Sequence, residues 1–187
     1  MPRRPPIAPL AALLLAAACA PRPARFVNAS ADLAAMKTVA VLPFENVTAD
    51  KLCSERVQRL FLTELLATNV FEVVEPGQVQ RAVRRDQLDV AALSPDDIRK
   101  LGQGLRADAL FMGTVLEYDE GRGGALLAPQ VKLQFRLVDA ATGATLWSVT
   151  RSAGGATVSA RLFGVGAVPA SQLAEQLIRE EISRFRR

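Results

Sequence analysis

The 187-residue chain has no histidine, only two cysteines, one tryptophan and one tyrosine. It also lacks an apolar run long enough to cross a bilayer: the longest near the amino terminus is residues 7–18, against the roughly 20 residues that a spanning helix needs. Without imidazole there is no Ser-His-Asp or Cys-His catalysis, no HExxH zinc site and no imidazole metal ligand. Carboxylate-only or Lys-based chemistry remains open in principle; the former would need a pair such as Glu117 and Asp119 near a strand end, and solvation explains these two residues more simply. We therefore expect no enzyme and no cofactor. Two cysteines allow one disulfide at most, and a cysteine in a leader is a poor structural partner for one in a folded domain.

What the chain does contain is ordinary for a globular domain: 50% hydrophobic and 22% charged residues. The net charge of +4 includes Arg3 and Arg4, and beyond residue 18 the two signs are interleaved rather than gathered into the basic stripe of a nucleic-acid binder. Nucleic acid is not an expected partner. The length suits one domain with a sizeable core and short extras.

At the amino terminus a basic start precedes the apolar run, which is the pattern of a secretory signal peptide over residues 1–18. The run ends "LAAAC". This resembles a bacterial lipobox, with Cys19 as the lipid-attachment residue. Ala16 stands where Leu, Val or Ile is usual, so cleavage at an Ala-x-Ala site, leaving Cys19 unmodified, is the alternative. Ala20, in place of Asp, points in the sorting logic of enteric bacteria to the outer membrane, facing the periplasm. Residues 19–36 are rich in Pro, Ala, Arg and Ser and read as a tether. Fully extended it reaches about 60 Å, and as a coil roughly 25 Å.

Residues 37–187 read as one α/β domain. "KTVAVLPF" is a buried strand, and Cys53, Val57, Leu60, Phe61 and Leu65 mark one face of a helix over 52–68. "FEVVE" is a second strand, giving a parallel βαβ unit. A charged helix over 78–88 follows, then "SPDD", in which Ser94 caps a helix and Asp97 completes a capping box. "GQGLRA" has the letters of a dinucleotide fingerprint, but a helix leads in and a strand leads out. It reads instead as a glycine-capped helix end. Val131, Leu133, Phe135 and Leu137 alternate with polar residues, Asp139–Gly143 turns, and "ATLWSVTR" returns as an antiparallel hairpin. An amphipathic helix over 171–185 closes the chain. The whole is a mixed sheet with an N-terminal βαβ unit, further helices, a C-terminal hairpin and a closing helix.

Four segments in this order, "KTVAVLPFENVT", "FEVVEPGQVQRAV", "LGQGLRADALFMGTVLEY" and "FRLVDAATGATLWSV", resemble the periplasmic domain shared by CsgG-like curli-secretion lipoproteins, LpoB-type penicillin-binding-protein activators and small related lipoproteins. The likeness covers about residues 37–152 and the closing helix. It implies a mixed α/β domain without catalytic residues, whose members bind proteins and assemble, so envelope proteins and a homo-oligomer are the partners to expect. The pore of CsgG needs two long membrane hairpins. The corresponding stretches here, 118–130 and 152–168, are too short for strands of about 9–11 residues each way. The expectation is a small, non-pore member accessory to a secretion or polymer-export system, with regulation of a peptidoglycan synthase as the alternative. Within "SARLFGVGAVP", Arg161, Leu162, Phe163 and Val165 are the candidate partner-binding residues.

Overall fold

The computed structural model describes residues 24–29, 32–121, 128–154 and 168–186. Among them run β1 (Arg25–Val27), β2 (Thr38–Val41), β3 (Glu45–Asn46), α1 (Cys53–Thr68), β4 (Glu72–Val73), α2 (Pro76–Arg85), α3 (Pro95–Leu105), β5 (Ala109–Asp119), β6 (Gln130–Asp139), β7 (Thr145–Gly154) and α4 (Ala170–Ile182). One sheet takes all seven strands, in the order β1-β7-β6-β5-β2-β4, with β3 pairing β5. The β2–β4, β2–β5 and β3–β5 pairs are parallel, while β1–β7, β5–β6 and β6–β7 are antiparallel. The mixed sheet, the βαβ unit and the hairpin thus stand as expected.

Two apolar layers flank the sheet. Cys53, Val57, Phe61 and Leu65 of α1 and Leu173, Leu177, Ile178 and Ile182 of α4 bury against Phe111, Val115, Leu133, Phe135, Trp147 and Val149. Successive strand side chains point to opposite faces, so these residues share one sheet face, which carries the larger core. On the opposite face, Val79, Ala82, Ile98 and Leu101 of α2 and α3 cover Ala40, Leu42, Leu110 and Val138. The larger layer is dense in aromatics. Phe61 lies with its ring centroid 5.4 Å from Phe44, 5.2 Å from Phe111 and 5.0 Å from Phe135, within the range where ring pairs attract.

Two glycines are fixed by close packing. A Cβ on Gly113 would lie 2.7 Å from the Phe44 ring, and one on Gly102 would lie 2.5 Å from the Ala140 Cβ. Gly102 is therefore a contact residue inside α3 and not its cap. The expected glycine cap falls instead to Arg106, which takes the left-handed conformation at φ 54°. Its N–H, and that of Ala107, return to the last carbonyls of the helix. Arg106 is exposed, so the cost of that conformation falls on the backbone alone.

Ser94 behaves as its neighbours imply. Its hydroxyl accepts from the Asp97 N–H at 3.2 Å, and the Asp97 carboxylate accepts from the Ser94 N–H at 3.0 Å. Replacing Ser94 by Ala should cost about 1 kcal/mol of unfolding free energy, measured by urea denaturation. Asp108 plays a comparable part between strands, its Oδ2 accepting the Lys37 and Thr38 N–H groups at 2.9 Å each.

Hydrogen bonds from the Thr38 and then the Lys37 backbone hold the Asp108 carboxyl below its ordinary value of 3.8. The Ser94 hydroxyl, then its N–H, does the same for Asp97. A carboxyl whose folded value is depressed adds stability above its unfolded value and loses it as pH falls through the folded one. The urea midpoint should therefore hold from neutral pH down to the ordinary carboxylate range and fall below it. In Asp108→Asn that acid decline should be shallower.

The structure departs from the expected tether at β1. Arg25–Val27 pair with Val149, Ser148 and Trp147, so the sheet begins inside the stretch read as 19–36. Three residues are too few to show a period of two, and their partners lie more than 100 residues away. The Ala24 carbonyl already accepts from the Thr150 N–H, and only four residues of sequence stand between Cys19 and Ala24.

Candidate interaction surfaces

Cys19 and the four residues Arg161, Leu162, Phe163 and Val165 lie outside the described residues. Glu117 and Asp119 are both exposed on β5, opposite Lys132 and Gln130 of β6. Asp119 Oδ1 accepts from the Gly121 N–H at 2.8 Å, so this carboxylate organises the strand end. Nothing among the described residues brings the pair into an enclosed pocket. Among the described residues no group of three or more His, Cys, Asp or Glu side chains could hold a metal ion.

Beside the pair lies a shallow open cleft of about 790 Å³ between the 48–50 loop, α1 and the end of β5. Arg56 at the start of α1 pairs with Asp50 and stands 5.3 Å over the Tyr118 ring. Asp50 raises the Arg56 guanidinium above its ordinary value. Burial, then the Glu120 charge, raises the Tyr118 phenol. Both groups therefore keep their protons at neutral pH, and neither is poised to act as a base. The rim is acidic and suits a polar partner surface rather than a small reacting molecule.

A second groove, of about 730 Å³, runs between α1 and α2 at the end of β2. Pro43, Phe44, Leu62 and Val83 line it, with Glu55, Arg59, Gln80 and Arg84 also on its walls. Gln58 Nε2 donates to the Leu42 carbonyl at 3.1 Å and ties the helix to the strand there. Nearby, the Cys53 thiol is 3.3 Å from Asn46 Oδ1 and 3.1 Å from the Thr48 hydroxyl. This is the buried, structural cysteine that its place on the apolar stripe implied.

The third surface is the outer part of the sheet face on which α2 and α3 pack. Lys132 and Gln134 are exposed there, with Thr114 and Arg136 half-buried. Thr114 Oγ1 donates to Glu45 Oε2 at 3.0 Å, and Arg136 Nη2 reaches the Met112 sulfur at 3.3 Å. Sequence patterning marks these residues as polar. It does not reveal that α2 and α3 stop short of them.

At the far edge of the sheet, Phe26 and Val27 are 51% and 47% exposed. They form a fourth surface, for which the only sequence signal is two large apolar residues in an otherwise small and polar stretch.

None of these surfaces has the enclosure of a small-molecule pocket. They are broad, mixed in polarity and open, as protein-binding surfaces are. Comparison with known proteins agrees with this picture of the fold. The PelC dodecamer from Paraburkholderia phytofirmans matches at 18% identity over 88% of this chain and 96% of that one, with a TM-score of 0.61. Lipoprotein GNA1162 from Neisseria meningitidis matches at 22% identity over 79% and 96%, with a TM-score of 0.55. The protein CT253 from Chlamydia trachomatis matches at 15% identity over 81% and 96%, with a TM-score of 0.54. The comparison with curated proteins finds no relative of this chain. The family described as "Curli production assembly/transport component CsgG" matches residues 24–181. That match starts at β1 and ends within α4, over the whole described sheet, and so the chain belongs to the CsgG family.

Proposed function

We propose that the protein is an outer-membrane-anchored periplasmic lipoprotein that works by protein–protein contact in envelope assembly, accessory to a curli-like secretion or polymer-export system. The observation that carries this reading is the family match over residues 24–181, because the family is described as an assembly and transport component. Residues 1–18 are then the signal peptide and Cys19 the lipidated residue. The tether is cut short by β1, and residues 37–187 hold most of the domain. Assembly into a homo-oligomer is part of the proposal, supported by PelC, a dodecamer of the same fold.

The protein acts without a catalytic site. This reading is supported by the histidine-free composition and by the open, solvated setting of Glu117 and Asp119. It is also a non-pore member. β5 and β6 extend into the first connection and leave residues 120–129 between them, while residues 155–169 link β7 to α4. A hairpin of two membrane strands with its turn takes roughly 20 residues or more, and neither stretch reaches that. The second connection carries Arg161, Leu162, Phe163 and Val165, which we propose as a partner-binding rim.

Crosslinking in native envelopes, followed by mass spectrometry, tests the reading. A secretion or export component, alone or with a second copy of this chain, is the expected capture. Recovery of a cell-wall synthase in its place would overturn the secretion assignment and favour a regulator of that enzyme.

A further inference from the structure

The distance in sequence from Cys19 to β1 limits how the domain can sit on its membrane. We infer that the β1 edge of the sheet docks on the leaflet to which Cys19 is attached, with Phe26 and Val27 entering the interfacial region. The inference rests on the proposed anchor at Cys19 and adds to it an orientation and a lipid-binding surface.

Three observations carry it. Ala24 is already bonded to β7, so the span from Cys19 to the sheet is five residue steps, about 18 Å when fully extended. A domain held that closely keeps the edge where the chain enters near the lipid. That edge is β1, the outermost strand, and its three side chains are all exposed. Edge strands of soluble domains are commonly blunted with charge or proline, yet this one shows Phe26 and Val27 on its two faces at about half exposure. Arg25 stands beside them, and an arginine can lay its stem along apolar surface while its head meets lipid phosphates. An apolar pair next to a cation is the composition of an interfacial anchor. A second signal of this kind also strengthens attachment beyond that of acyl chains alone.

The competing occupant of the edge is a second copy of the chain, and the experiment separates the two. Trp147 is the single tryptophan and is 1% exposed, so it serves as a shielded internal reference. The full-length lipoprotein carrying Phe26→Trp is purified from envelopes, checked by intact mass for its acyl chains, and reconstituted into phosphatidylethanolamine–phosphatidylglycerol vesicles containing brominated lipid. Arg81→Trp on α2 is the control, because α2 packs by β2, toward the opposite end of the sheet from β1. The emission added by Phe26→Trp should fall at least about twofold with brominated lipid, as expected of an aromatic ring in the interface, while that added by Arg81→Trp stays unchanged. If the acylated protein shows no quenching at position 26, the inference fails and the anchor stands. If that unquenched protein also crosslinks to a second copy through the β1 edge, the occupant is another protomer. A protein without acyl mass overturns the anchor and the orientation together.

Discussion

Phe61→Ala should remove much of the stability of the domain, about 3–5 kcal/mol. Phe61 is fully buried at the centre of α1 and meets Phe44, Phe111 and Phe135, which come from the segment after β2, from β5 and from β6. Truncation removes the transferred apolar surface and leaves a cavity bounded by rings on three separate elements. A sheet cannot collapse into such a space without breaking its register, so the cost belongs near the upper end of the usual range. Domains of this size are stable by only about 5–15 kcal/mol, and the melting temperature should drop by on the order of 10 °C. Leu66→Ala, on the same helix but 58% exposed, should change stability by no more than about 0.5 kcal/mol. Equal losses in the two variants would show that α1 does not pack on the sheet by the face assigned to it.

That face was readable from the chain because its signal is local. Cys53, Val57, Phe61 and Leu65 repeat at the helical period, and all four are buried. Leu60, counted on the same face, is only half-buried because it lies at the margin of the stripe. The β6–β7 hairpin and the Ser94 cap were legible for the same reason: alternation and capping are complete within a few residues. What was missed depends on distant partners. β1 and β3 have three and two residues, and pairing with β7 and β5 creates them. The charged helix expected over 78–88 starts two residues earlier, because Pro76 and Gly77 form the first turn of α2. Glu75 caps it there by accepting the Gly77 N–H, and proline is well suited to that position. The grooves combine residues such as Phe44, Gln58 and Val83, which no spacing rule connects.

Cys19→Ser should abolish lipid attachment and move the protein from the membrane fraction to the soluble periplasmic fraction, or leave it as uncleaved precursor. The loss of lipid labelling should be all-or-none, because serine has no thiol to carry the thioether. Among the described residues no helix is long and apolar enough to cross a membrane, and a short apolar pair such as Phe26 and Val27 is too small to hold a domain on its own against dilution. The variant should melt as the wild type does, since Cys19 precedes every described residue bonded into the sheet. Fractionation with palmitate-analogue labelling reads both effects. The short link matters here as well. With β1 beginning at Arg25, a lipidated Cys19 restricts the partners to those that come within reach of the membrane-held domain. This disfavours a synthase reached only by a long tether through the wall.

The most direct test of a lipid-held envelope protein is the intact mass of the mature chain extracted from native envelopes. The mature chain should begin at Cys19 and carry a diacylglyceryl thioether. A mature chain that begins elsewhere, or one that begins at Cys19 without the lipid, would contradict the lipid anchor.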